Sequence, residues 1–144
     1  MNKYIFIIFV LILLTSCNES VELIVESNSP AAQGILLKES IGIETLGGVF
    51  TPLLNSGCNL PCEITQIFST AEDNQNQIKL ILYRGTKKLS SKNKLLGNLK
   101  ITGIKPASRG KPKIQVKFRA TNGKIIIAVK DLDGTSKLKL LKYE

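Results

Sequence analysis

The stretch KIQVKFRATNGKIIIAVKD (residues 113–131) decides the fold. In its first half Ile114, Val116 and Phe118 alternate with Gln115, Lys117 and Arg119, which places apolar side chains on one face of a strand and polar ones on the other. Asn122-Gly123 then marks a hairpin turn, because both central residues of a type I′ turn need φ > 0 and this pair tolerates it. Residues 125–129 are an unbroken apolar run, as expected for a strand buried on both faces. Working outward, residues 79–84, 95–101 and 137–141 alternate in the same way. Gly47-Gly48, Asp73-Asn74 and Asp133-Gly134 supply further turns, and helix-period stretches are missing. The spacing predicts eight strands, at about 41–46, 49–54, 63–70, 78–84, 95–101, 113–120, 124–131 and 136–142, hence an all-β, eight-stranded antiparallel β-sandwich.

Composition narrows the chemistry. The 144-residue chain has no His and no Trp, which removes the usual general base and excludes Ser-His and Cys-His catalysis. No other acid–base or nucleophile–base pair is recognisable, so the chain is not expected to be an enzyme. The net charge of +9 is uneven. Before Ile78 eight acids face two lysines, a balance of −6; from Ile78 onward eighteen Lys and Arg face three acids, a balance of +15. Such polarity attracts nucleic acid, anionic lipid or acidic polypeptide, or it is a solvated basic surface. Nucleic acid is the weakest of these, since Tyr83, Phe118 and Tyr143 are too scattered for base stacking.

The first residues read as an address. Lys3 precedes an apolar run from Tyr4 to Leu14, about eleven residues, too short to cross a bilayer and fitting a signal-peptide core. Leu14-Thr15-Ser16-Cys17 resembles the bacterial lipobox, in which the Cys thiol takes a diacylglycerol before cleavage. The organisation expected is a signal peptide over 1–16, a lipidated Cys17 and tether over 17–40, and a β-sandwich over 41–144, giving an extracytoplasmic, membrane-anchored lipoprotein. An ordinary secreted or secretory-pathway protein is the alternative. No ligand pair accompanies Cys58 and Cys62, so no metal site is expected. Extended chain would hold their Cα atoms about 13 Å apart, beyond the reach of a disulfide. Free thiols are expected, unless a turn at Pro61 brings the pair together.

Period-2 logic adds one point about binding. Ile78 and Leu80 share a strand face, and Phe68 ends a neighbouring strand just before a polar turn. Such residues line either a groove or a closed core. IGIETLGG (41–48), FSTAEDNQ (68–75) and LLGNLKITGIKPASRG (95–110) favour the groove. Together, and in this order, they resemble the peptide-binding β-domain of the seventy-kilodalton heat-shock chaperones, the DnaK family. The resemblance covers about a hundred residues, 41–141, and fades after Gly110.

It implies that loops 45–48 and 71–77 cradle an extended peptide. Leu46 and Ala71 match the positions that arch over it. Ile43, Val49, Phe68, Ile78, Leu80 and Ile114 match those lining a pocket for one apolar side chain, usually Leu. Thr45, Leu46, Ser69, Ala71 and Gln75 match those that hydrogen-bond the peptide backbone. The implied partner is unfolded or extended polypeptide with Leu- or Ile-rich segments, bound without ATP. No cofactor is implied, since the family's ATP site lies in a domain that these residues do not include. Two departures, Ser108 in the APRG-like element and a short, acid-free turn at 119–123, weaken any coupling to a separate ATPase. The alternative is a degenerate chaperone fragment, a structural or surface-interaction protein with no working groove.

Overall fold

The computed structural model describes residues 20–26, 32–33 and 36–143. Strands follow one another as β1 (Val21–Glu26), β2 (Ala32–Gln33), β3 (Leu36–Leu37), β4 (Ser40–Thr45), β5 (Val49–Leu54), β6 (Cys62–Phe68), β7 (Gln77–Gly85), β8 (Lys94–Thr102), β9 (Ile114–Thr121), β10 (Lys124–Asp131) and β11 (Lys139–Tyr143). One turn of 3₁₀ helix, Ser90–Lys92, interrupts the β7–β8 connection. Two antiparallel sheets face each other: β1-β10-β9-β6 and β11-β8-β7-β4-β5. The all-β sandwich expected from the alternating pattern is therefore the fold, and each of the eight expected strands is present within a few residues of its place.

Inward-facing residues of the two sheets make the core. Leu82, Leu99 and Ile101 on one side meet Ile114, Val116, Phe118, Ile125, Ile127 and Val129 on the other, all with 2% exposure or less. Each such side chain contributes about 1.5–3 kcal/mol through removal from water. The run 125–129 departs from expectation: Ile125, Ile127 and Val129 are buried, but Ile126 and Ala128 are only half-buried. Among the described residues no layer covers the outer face of that sheet there, and Ile24, paired with Ile126, is 53% exposed.

The β9–β10 hairpin forms at Asn122-Gly123, but only Gly123 (φ 83°) is left-handed; Asn74 is the only non-glycine residue with positive φ among those described. The expected type I′ geometry, which needs two such residues, is therefore not used. Asp133-Gly134 closes no hairpin, because β10 and β11 lie in different sheets. That crossing is organised by Asp131, whose carboxylate accepts hydrogen bonds from the N–H groups of Asp133, Thr135 and Ser136 at 3.0, 3.1 and 2.7 Å. Burial alone would raise the Asp131 pKa, but bonds from Ser136, Asp133 and Thr135 outweigh it and hold the carboxyl below its ordinary value.

Part of the stretch expected to be a tether is built into the sandwich. β1 pairs with β10 over six residues, from Val21↔Val129 to Glu26↔Lys124, and Val25 is fully buried. Leu37 is buried too; its N–H donates to the Cys58 carbonyl at 2.9 Å, and its own carbonyl accepts from Gly57 N–H at 2.6 Å. Cys58 and Cys62 are joined as a disulfide, with Cα atoms 6.3 Å apart. The expectation of free thiols fails because residues 58–62 turn rather than run extended, bringing the pair inside the range that a disulfide spans. The leader at 1–16 and Cys17 lie outside the described residues.

The register defines two ends. Loops 45–48 and 69–76, and the connections 103–113 and 131–138, cluster at one, where Phe68, Ile114 and Asp131 sit side by side across three strands. The disulfide loop and the β9–β10 hairpin occupy the other.

Candidate functional site

The 45–48 loop closes the β4–β5 hairpin. Thr45 pairs with Val49, and three residues turn the chain, two of them Gly47 and Gly48 at φ 82° and 72°. That backbone is left-handed, which glycine adopts at least cost, and it leaves Leu46 at the tip with 100% exposure. The Thr45 hydroxyl stays within its own hairpin, 3.2 Å from the Val49 carbonyl and 2.9 Å from the Thr51 hydroxyl. Opposite, Gln75 folds the 69–76 loop on itself. Its Oε1 accepts from the N–H groups of Ala71 (2.8 Å) and Glu72 (3.2 Å), and its Nε2 donates to the Gln77 carbonyl (2.6 Å). Ala71 is exposed at the top of this loop.

Each loop leans on a second connection. Ser90 N–H donates to the Gly48 carbonyl at 2.9 Å, Phe50 N–H to the Lys88 carbonyl at 2.8 Å, and Leu89 bridges to Val49. Asn93 fixes that brace: its Oδ1 accepts from Lys87 N–H, and its Nδ2 donates to the carbonyls of Lys87 and Leu89. On the other side Asn74 N–H donates to the Ala107 carbonyl (2.8 Å), Gly110 N–H to the Thr70 carbonyl (3.0 Å) and Arg109 N–H to Asp73 Oδ1 (2.8 Å). The Ser69 hydroxyl donates to the Pro112 carbonyl at 2.5 Å. Leu89 and Asn93 were not anticipated as site residues; an Asn amid a polar turn between two strands was the one available signal.

The pocket residues lie at three depths. Val49 and Phe68 are half-buried. Ile43, Ile78 and Leu80 belong to the hydrophobic core, at 6%, 7% and 5% exposure. Ile114 is fully buried in the same core, paired with Phe68 on the neighbouring strand. Phe68 also stands edge-on to Phe118, ring centres 6.5 Å apart. Leu46 and Ala71, both exposed, are not collapsed onto that core. A cavity of about 340 Å³ beside the second loop is lined by Ala71, Glu72, Gln75, Gln77 and Lys79. Among the described residues no group of three or more Cys, Asp or Glu could hold a metal ion.

The sequence model of the Hsp70 protein family matches residues 31–141, more than half of the chain. The chain belongs to the Hsp70 family. The matched segment takes in the whole of both loops and both braces, and membership supports a chaperone-like role in polypeptide binding at most.

Seen as part of an Hsp70-family chain, the hydrogen bonds sort the expected backbone-binding residues into two groups. Thr45, Ser69 and Gln75 spend side-chain bonding capacity holding the loops in shape. Ala71 N–H is occupied by Gln75 Oε1, so a peptide carbonyl reaching for it must displace that amide. Leu46 is wholly exposed.

Proposed function

We propose that this chain binds extended apolar polypeptide segments without ATP, as a chaperone-type module held outside the cytoplasm by a lipid on Cys17. One observation carries the reading: Leu46 and Ala71 are both exposed, on two loops at one end of a sandwich whose core holds Ile43, Ile78 and Leu80. A peptide laid between the loops would gain main-chain hydrogen bonds that do not depend on its sequence, while one apolar side chain entered the pocket, the logic of strand-addition recognition. Burying one Leu contributes about 1.5–3 kcal/mol, each backbone bond about 0.5–1.5 kcal/mol, and ordering the peptide takes several kcal/mol back. The balance is micromolar affinity at best, about −8 kcal/mol, suited to transient clients.

Replacing Ile78 by Phe fills the pocket. Fluorescence polarisation with a Leu-centred heptapeptide should show affinity falling more than about tenfold, the equivalent of one lost apolar contact of about 1.4 kcal/mol, while a thermal melt shows the variant folded. Unchanged affinity in the folded variant rejects the groove.

The second reading, a surface-interaction protein with no working groove, draws support from the burial of Ile43, Ile78 and Leu80 in the core. Peptide arrays separate the two, since a closed sandwich shows no enrichment for apolar heptamers. The anchor is tested independently by metabolic labelling with a palmitate analogue, with Cys17→Ser as the control that should lose the label.

A further inference from the structure

The chain comes into the sandwich at its groove end. Val21 opens β1 opposite Val129, two residues before β10 ends at Asp131, and Ser20 shares a cavity of about 200 Å³ with Gln115 and Lys130. Cys17 precedes Ser20 by three residues, so at most about 11 Å of extended chain separates it from the folded domain.

Basic residues gather around this point. Lys105 and Lys111 line one cavity with Ser136, and Lys105 N–H donates to the Ser136 hydroxyl at 3.0 Å, which draws Lys137 into the same cluster. Lys113 sits against the β10–β11 connection, its carbonyl accepting from Leu132 N–H at 2.9 Å, and Lys130 lies beside Ser20. Leu132, 41% exposed, projects among them as an apolar tip. Glu22 and Asp133 offset part of the charge, while the Asp131 carboxylate is buried and engaged by backbone N–H groups.

We propose that this basic collar docks the groove end of the sandwich onto an anionic phospholipid surface. Lysines within a Debye length of a charged leaflet are each worth about fivefold in binding, and an exposed Leu among them suits the headgroup boundary. The collar also sets where clients are met. Loops 45–48 and 69–76 lie at the same end, so the groove would work on polypeptide lying along, or emerging from, the membrane. The proposal rests on the anchored, extracytoplasmic reading only for the identity of the surface.

The test uses the full chain carrying Cys17→Ser, so that no acyl chain contributes, and sedimentation with vesicles of phosphatidylcholine alone or mixed with phosphatidylglycerol. Phosphatidylglycerol should strengthen partitioning, added salt should weaken it, and Lys105→Gln/Lys111→Gln should cost about 25-fold at about fivefold per lysine. Lys94→Gln/Lys124→Gln, at the far end, should change it by less than about twofold. Equal losses in the two double variants, no response to phosphatidylglycerol, or a soluble polyanion binding tightly while vesicles do not, each overturns the collar. Palmitate labelling of the unaltered chain reads the anchor separately, so a failed collar and a failed anchor are distinguishable.

Discussion

At the far end of the sandwich a disulfide between Cys58 and Cys62 closes the loop that grips Leu37, and Arg84 Nε lies 2.9 Å from Glu39 Oε2 with its own side chain almost wholly buried. At the groove end the 45–48 and 69–76 loops are held by hydrogen bonds, with no covalent link among the described residues, and a leucine is left in water. One end is locked covalently where nothing needs to move. The other is braced by hydrogen bonds to neighbouring connections. Local stability should therefore be lower where the groove lies, since loops held by exposed hydrogen bonds with few buried apolar contacts open first.

The largest effect we expect falls on the pocket residues, where stability and binding meet. Ile114→Ala removes a fully buried side chain and should cost about 2–5 kcal/mol of unfolding free energy in urea. Peptide affinity of the folded protein should hardly change, because Ile114 is sealed in the core and out of a peptide's reach. A variant that keeps its stability and loses peptide would instead put Ile114 in the pocket wall, the position its motif match implies, and would mean a deeper groove.

At the locked end, Cys58→Ser/Cys62→Ser should lower stability by roughly 2 kcal/mol, the chain-entropy value for so short a loop. Peptide affinity should stay the same, since neither sulfur approaches the 45–48 or 69–76 loop. The same loss should follow from adding a thiol reductant to the unaltered chain, measured by denaturation in both conditions. If affinity fell along with stability, the two ends would be coupled and the contrast between them would fail.

How much of this was readable from the sequence depends on how far apart the partners lie. Strands β4 to β11 follow from period-2 alternation, a local signal, and the groove loops follow from motifs contiguous in sequence. β1 carries the same alternation, with Val21, Leu23 and Val25 packed against the core. It reads as tether because its partner, β10, is about a hundred residues away and Ser27-Asn28-Ser29-Pro30 follows it directly. The disulfide was hidden for a similar reason: the spacing of Cys58 and Cys62 says nothing until the path of residues 59–61 is known. The two braces rest chiefly on backbone N–H and carbonyl groups, at Gly48, Ser90, Asn74 and Ala107, which every residue type carries. The depth of Ile43, Ile78 and Leu80 is set by the facing sheet, so residue type marked them as apolar without marking how much water they see.

The smallest expected change in stability belongs to Leu46, and it bears most directly on whether the groove is open. Its side chain is fully exposed, so Leu46→Ser removes no buried surface and should leave unfolding free energy within about 0.5 kcal/mol. Binding should respond differently, because the arch is the part of the site that an entering peptide covers. A Leu half-covered on binding contributes about 1 kcal/mol, roughly half of full burial, and its loss should weaken the Leu-centred heptapeptide about fivefold. A melt and a polarisation titration on the same preparation give both numbers. A clear drop in melting temperature would mean that in solution Leu46 folds down onto Ile78 and Phe68, and that burial which stabilises the free chain is burial no longer available to a client.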